Sequence, residues 1–454
     1  MINSKTSLEL IPNNNFNLNM PVRLSNLHKW VIYIILIANG YQFILPVNFN
    51  DDALGIYINL PKWATSFEVI NGVFFADFIF IFYYLFFGFR IINYTRRFGK
   101  AIKFALGIIS LAFAGILSTA FNLEIFSDYL ESLKLVLLAL FFLCVFFWST
   151  ILGPLTVLRL FMFGVVISSI VNLYFTFSNP IRLLGGLPML LGQNGPGGSA
   201  GFLMFLPSFF LGLTNKKIDK LFIFFYVVIL SILLLLSYSK LGVLMGMFGM
   251  LSLFFFQFRS ARPGFILKRM SYIFVLLITI FVLIFNTDAG KSLSDGVSVF
   301  IEHKIGDDGA GAFDSGDEER LNYYFAVSEV LLYNPLFGVG YNGFFEAIIK
   351  TKTYSSGLMS EEESSVNANP HNAFLYYISA NGFIGWIIVV FLYFTFLNFF
   401  FNFFKPYGLA GVLMFLSLAA ASVLHTNTLI GFFNTTIMYI PAGVALAENY
   451  KRKI

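Results

Sequence analysis

Apolar runs of membrane-spanning length recur along nearly the whole chain, near 30–47, 72–92, 104–121, 133–152, 154–175, 198–214, 221–238, 241–257, 270–287, 382–404, 408–425 and 430–447. A helix needs about 20 such residues to cross a hydrocarbon core of ~30 Å. The pattern predicts an all-α polytopic membrane protein with about twelve transmembrane helices, the short sixth one interrupted by Pro207. The runs are continuous and do not alternate, which excludes a membrane β-barrel. Between the ninth and tenth runs the pattern changes. Leu321, Phe325, Val327, Val330 and Leu331 have helical spacing, predicting a short helix that opens at Arg320 and stops at Asn334-Pro335. Gly338, Gly340 and Gly343 then permit a tight turn with close backbone approach. A second break falls at Asn369-Pro370, where the proline can start another helix with His371 just after it.

Composition agrees with this reading: 58% of the 454 residues are apolar, 19% aromatic and 12% charged, with mean hydropathy +0.79. A soluble domain carries about 25% charged residues. The asparagine-rich stretch before the first run predicts a polar tail over 1–29, followed by nine spans over 30–287, a large polar loop over 288–371 and three spans over 372–454. The single cysteine, Cys144, falls inside a span and excludes a disulfide framework or a cysteine metal site.

Charge sets the expected orientation. Arg96, Arg97, Lys100 and Lys103 follow the second span, and Lys216, Lys217 and Lys220 the sixth. Arg259, Arg262, Lys268 and Arg269 follow the eighth, and Lys451, Arg452 and Lys453 end the chain. All fall on one side of a twelve-span arrangement, which the positive-inside rule makes the cytoplasm, with both termini inside. Residues 288–371 then lie outside, with fourteen acids against five Lys and Arg, a net of −9. A loop this long inside a compact protein predicts short helices and a function of its own.

Three cations stand beside spans on that outer side: Arg182, Lys240 and Arg320. A charge in the membrane costs on the order of 2.5–3.5 kcal/mol on insertion scales, so such residues need a partner. A lipid-linked pyrophosphate is one; interfacial snorkelling is the plain alternative. The His371 imidazole suits proton transfer near neutral pH, and a capping role is its alternative. Asp77, alone in its span, reads as structural. No Walker-type loop, H-E-x-x-H motif or paired carboxylate motif beside a span occurs, which argues against ATP hydrolysis and metalloprotease chemistry.

In order and spacing these residues resemble the signature of the bacterial O-antigen polymerase and ligase family. Arg320 leads a helix, Pro335 to Gly340 reads PLFGVG, and His371, Asn372, Leu375, Gly382 and Gly385 fit H-N-x-x-L followed by G-x-x-G. A further element, Ser-Arg-x-Gly in the family, stands here as Ser239-Lys240-Leu241-Gly242. The resemblance covers roughly residues 180–405. It implies a GT-C-like fold and a membrane glycosyltransferase acting on an undecaprenyl-pyrophosphate-linked oligosaccharide at the outer face of the cytoplasmic membrane. His371 is then the catalytic base, Arg320, Lys240 and Arg182 bind pyrophosphate, and Gly338, Gly340 and Asn372 shape the loop. The chemistry implied is inverting and needs no metal or cofactor. The bilayer and a chain-length regulator protein are the expected partners, with no nucleic acid.

A ligase takes an anionic lipid A core as acceptor, which a loop of net −9 would repel within a Debye length of about 8–10 Å. This favours a polymerase of O-antigen or capsular repeats over a ligase. A flippase or other transporter is the non-enzymatic competitor. Transporters tend to show repeated halves with a midplane site, whereas the polar signals here gather on one loop.

Overall fold

The computed structural model of the chain describes residues 24–453 apart from 258–314, 357–372 and 420–435 and shorter stretches in the connections, chiefly 45–48, 52–55, 61–67, 123–125 and 189–193. The chain is an all-α polytopic membrane protein. Among the described residues six helices are long and apolar enough to span a membrane: Phe78–Thr95, Gly99–Asn122, Ser132–Leu152, Pro154–Ser178, Lys217–Leu236 and Phe374–Tyr407. They correspond to helices designated α2 (Phe75–Thr95), α3 (Gly99–Asn122), α4 (Phe126–Leu152), α5 (Pro154–Ser178), α8 (Lys217–Leu236) and α13 (Ala373–Phe404), the last span running on through the 3-10 turn Lys405–Tyr407. Shorter helices fill out the bundle: α1 (Asn26–Tyr41), α6 (Asn194–Leu203), α7 (Leu206–Leu211), α9 (Lys240–Gln257) and α14 (Thr436–Lys451). The sixth expected span is divided between α6 and α7, with Pro207 in the first turn of α7, where a missing N–H costs nothing. The span expected near 270–287 lies outside the described residues.

Packing follows the rule for helices in lipid, where burial against another apolar surface gains little and close van der Waals contact decides. Gly40 of α1 and Gly164 of α5 face each other so closely that a Cβ on either would lie 2.1 Å from a carbonyl oxygen of the other helix. Gly201 of α6 meets Gly242 of α9 in the same way, with a Cβ falling 2.1 Å from the Gly242 oxygen. The glycine of the Ser239–Gly242 element is therefore a helix-crossing point. Aromatic side chains fill the interior, among them Phe142, which lies between α3 and α13 through Phe104 (4.7 Å) and Phe399 (6.2 Å). Leu85, Phe86, Phe89, Phe113, Leu235 and Phe394 point outward, as they must on a surface that meets lipid.

The two ends of the bundle differ. At one end Tyr450 of α14 packs on Phe98 and Phe146, and Arg452 donates to the Phe403 carbonyl and the Tyr407 hydroxyl. There Asp219 takes Arg159 at 2.7 Å and accepts from Thr214, so the charges are paired before they enter the bundle. Lys100, Lys216, Lys217, Lys220 and Lys451 gather at this end on the elements just named. The opposite end carries, among the described residues of the polar segment, the helices α10 (Ser315–Tyr333), α11 (Gly343–Ile348) and α12 (Lys352–Ser355). Among the described residues the connections hold three two-stranded hairpins: β1 (Phe49–Asp51) with β2 (Ile56–Ile58), β3 (Glu68–Ile70) with β4 (Val73–Phe74), and β5 (Arg182–Leu184) with β6 (Leu187–Pro188), all antiparallel.

α10 begins at Ser315, five residues before the Arg320 start expected from the apolar spacing. Its end at Tyr333, just before Asn334-Pro335, matches the expected stop. α13 starts at Ala373, past the expected Pro370.

Candidate active site at a broken membrane helix

α13 is not one regular helix. At Gly382 the backbone turns to φ 61°, ψ −163°, a region that only glycine occupies without strain. An unbroken helix would have Phe383 and Ile384 donate to the carbonyls of Ser379 and Ala380. Instead, both pairs of groups are satisfied by the Pro335–Gly340 loop. Val339 and Gly340 donate to the Ser379 and Ala380 carbonyls at 2.8 and 3.0 Å. Phe383 and Ile384 donate to the Pro335 and Leu336 carbonyls at 2.9 and 3.4 Å. The loop thus stands in for one missing helical turn. In a membrane each unsatisfied backbone group costs several kcal/mol, so the break exists only because this loop fills it.

The fit requires glycine on both sides. A Cβ on Gly338 (φ 72°) would lie 2.4 Å from the Ser379 oxygen, and one on Gly382 would lie 2.4 Å from the Leu336 carbonyl. Across the kink, a Cβ on Gly385 would come within 2.2 Å of the Asn381 Cβ. The glycines of the PLFGVG and G-x-x-G motifs are thereby parts of one junction, although they lie more than forty residues apart in the chain.

Side chains from α3 clamp that junction. Ser118 donates to the Ala380 carbonyl at 2.7 Å, and Asn122 to the Gly338 carbonyl at 2.9 Å. Phe121 stacks on Phe337 at 4.3 Å. Inside, Asn381 donates to the Tyr341 hydroxyl at 3.0 Å. Asn381 Oδ1 and Ser132 Oγ are buried and lack a hydrogen-bond partner among the described residues. The motifs in the polar segment did not point to these clamps. Their signal was a serine and an asparagine one helical turn apart at the end of an otherwise apolar run.

α10 leads into the junction from one side and the first turns of α13 from the other. Tyr323, Ala326, Val327 and Val330 of α10 form one cluster with Val339 and with Phe344, Ala347 and Ile348 of α11, and Leu375 and Ile378 of α13 pack against it. The leucine of H-N-x-x-L is therefore a docking residue. Glu329 ties α12 to α10 by accepting from the backbone of Lys352 and Thr353 and from the Thr353 hydroxyl. Desolvation acts to raise the Glu329 pKa, but these donors outweigh it and hold the carboxyl below its usual range. The contribution of this tie is present above the ordinary carboxylate pKa and is lost as pH falls through the lowered value.

Of the residues expected to carry chemistry, Arg320 lies on α10 five positions past its start, Lys240 opens α9, and Arg182 opens β5. Gly338 and Gly340, both with positive φ, line the junction. His371 and Asn372 lie outside the described residues, immediately before α13. The junction brings together the elements bearing Arg320 and following His371; Arg182 stands on a separate hairpin.

A polytopic bundle with a broken helix, closed by a glycine loop from a polar segment, defines the class of protein. Comparison adds a likeness over part of the chain: residues 225–390 match the family described as O-antigen ligase. The matched segment runs from within α8 to within α13, which includes Lys240, Arg320, the junction glycines and His371, and leaves Arg182 outside. The match supports O-antigen polymerase or ligase activity in general and does not separate the two. No curated protein matches the chain.

Proposed function

We propose that the chain is a polysaccharide polymerase that joins oligosaccharide repeats carried on undecaprenyl pyrophosphate. The observation that carries the reading is the junction, because it is built from the family's own motif residues and locks together the two helices next to Arg320 and His371. In the reaction the acceptor hydroxyl oxygen attacks the anomeric carbon of the donor. The bond from that carbon to the pyrophosphate oxygen breaks, and the pyrophosphate departs on its lipid with the electron pair. His371 takes the hydroxyl proton, while Arg320 and Lys240 balance the charge that grows on the leaving group. Attack opposite the leaving group inverts the anomeric centre.

The orientation proposed is cytoplasmic for both termini and external for the polar segment, in a bacterial cytoplasmic membrane. It is supported by the gathering of Lys100, Lys216, Lys220, Lys451 and Arg452 at the end of the bundle remote from the junction. Polymerase is preferred over ligase because residues 288–371 carry a net charge of −9, which disfavours a phosphorylated acceptor.

Deletion of the gene, read on a gel of surface polysaccharide, tests the reading. Bands of a single repeat on the surface are expected; free lipid-linked polymer would establish a ligase instead, and repeat units trapped inside would establish a flippase. Within the proposed site, Arg320→Ala should slow polymer formation about 10–150-fold, the equivalent of the ~1.5–3 kcal/mol carried by a hydrogen bond to a charged group. Arg320→Lys should recover part of this loss, since it restores the charge without the planar fork. Lys240→Arg should stay close to full activity. Normal polymer from Arg320→Ala at normal protein levels would remove Arg320 from the site.

A further inference from the structure

We infer that the last turn of α10 and the loop after it are immersed in the bilayer surface, so that the polar segment rests on lipid at the junction. The inference stands on the membrane character of the fold and is independent of the reaction assigned above. On α13, Gly382 is 22 residues from Phe404, or roughly 33 Å at 1.5 Å per residue, which is about one hydrocarbon thickness. On α3, Phe121 is 18 residues from Lys103, or roughly 27 Å. With Lys103 and the α13–α14 end at one boundary of the membrane, the junction therefore falls at the other.

At that level the surface is apolar and, among the described residues, exposed. Leu332 is 80% exposed and Leu336 56% exposed, and between them Tyr333 is exposed with its hydroxyl donated to the Lys350 carbonyl. On a solvated loop such leucines would cost free energy with nothing to offset it. This patch is continuous with the lipid-facing surface of the bundle. Phe337, next to Leu336, stacks on Phe121, which is 61% exposed on α3. Pro335 and Leu336 are hydrogen-bonded to Phe383 and Ile384, themselves exposed on α13. A surface joined by backbone hydrogen bonds to a membrane span cannot leave the membrane without breaking the junction. The occupant is accordingly the lipid of the bilayer, and a tyrosine with an anchored hydroxyl is the residue type favoured at that depth.

The test uses the full chain with Cys144→Ser, reconstituted in nanodiscs of phosphatidylethanolamine and phosphatidylglycerol, with a nitroxide on Leu332→Cys or, separately, Leu336→Cys. Phe121→Cys serves as the lipid-facing reference and Ser356→Cys, exposed on the polar segment, as the aqueous one. Power-saturation measurements should find both leucine positions more accessible to oxygen than to a water-soluble nickel chelate, as at Phe121 and opposite to Ser356. Preferential access to the chelate at both positions would overturn the inference by placing the patch in water. Exclusion of both reagents would overturn it by placing protein, from this chain or a second copy, over the patch. The two positions are independent, so failure of one variant to fold leaves the other to decide.

Discussion

His371→Gln is expected to reduce polymer formation by about 10²–10⁴-fold while leaving the protein folded and inserted. Glutamine retains hydrogen-bonding capacity but cannot accept a proton at neutral pH, so it separates a base from a capping residue. The histidine falls two residues before α13, on the approach to the junction, and within the segment that matches the O-antigen ligase family. Wild-type activity should fall as the medium is acidified through the imidazole range, around pH 6.5 for an unperturbed histidine, because imidazolium cannot take the acceptor's proton. In the variant this acidic limb should vanish along with most of the rate. Purified protein supplied with a lipid-linked repeat, assayed from about pH 5 to 8 in both forms, provides the measurement. Substantial turnover by His371→Gln with the acidic limb intact would assign the residue to packing.

The second large effect belongs to Gly382. Three alanine substitutions separate its two contributions. Gly99, at the start of α3, has negative φ and nothing within 4 Å of a new Cβ, so Gly99→Ala should be neutral or slightly stabilising through the unfolded chain. Gly408 has φ 58° with open space around it, and Gly408→Ala should cost about 1–3 kcal/mol of backbone strain alone. Gly382 combines φ 61° with a Cβ placed 2.4 Å from the Leu336 backbone, so Gly382→Ala must displace the loop as well. The displaced loop gives up the four reciprocal hydrogen bonds at the boundary of the membrane. Thermal unfolding in detergent should rank the three in that order, with Gly382→Ala losing the folded junction outright. Equal stability of the Gly382 and Gly408 variants would show that the loop docks without needing the close approach.

Much of this protein is legible without its structure because a bilayer is an unforgiving solvent. Continuous apolar runs have few alternatives to helices there, and the runs near 104–121, 133–152 and 154–175 became α3, α4 and α5 with small shifts at their ends. Pro207 marked a true interruption, and Asn334-Pro335 a true helix stop, because a missing N–H and a fixed φ act locally. α10 starts earlier than the apolar spacing predicts because the acidic stretch before Arg320 lacks apolar periodicity and is helical all the same.

By itself, then, the sequence determined the solvent in which the chain folds, the sites of its local breaks and the order of the motifs by which it resembles the O-antigen ligase family. Each depends on neighbouring residues or on composition. Only the tertiary structure decided why those motifs need one another. The apolar run near 382–404 reads as a span that starts at Gly382, and nothing in its periodicity shows that the helix begins already at Ala373 or that Ser379 and Ala380 surrender their carbonyls to Val339 and Gly340. Nor does the sequence show that Ser118 and Asn122, more than two hundred residues away, hold that exchange in place. Backbone hydrogen bonds between distant segments leave almost no trace in side-chain pattern. Glycine is their one sign, because the close approach of two backbones leaves no room for a Cβ.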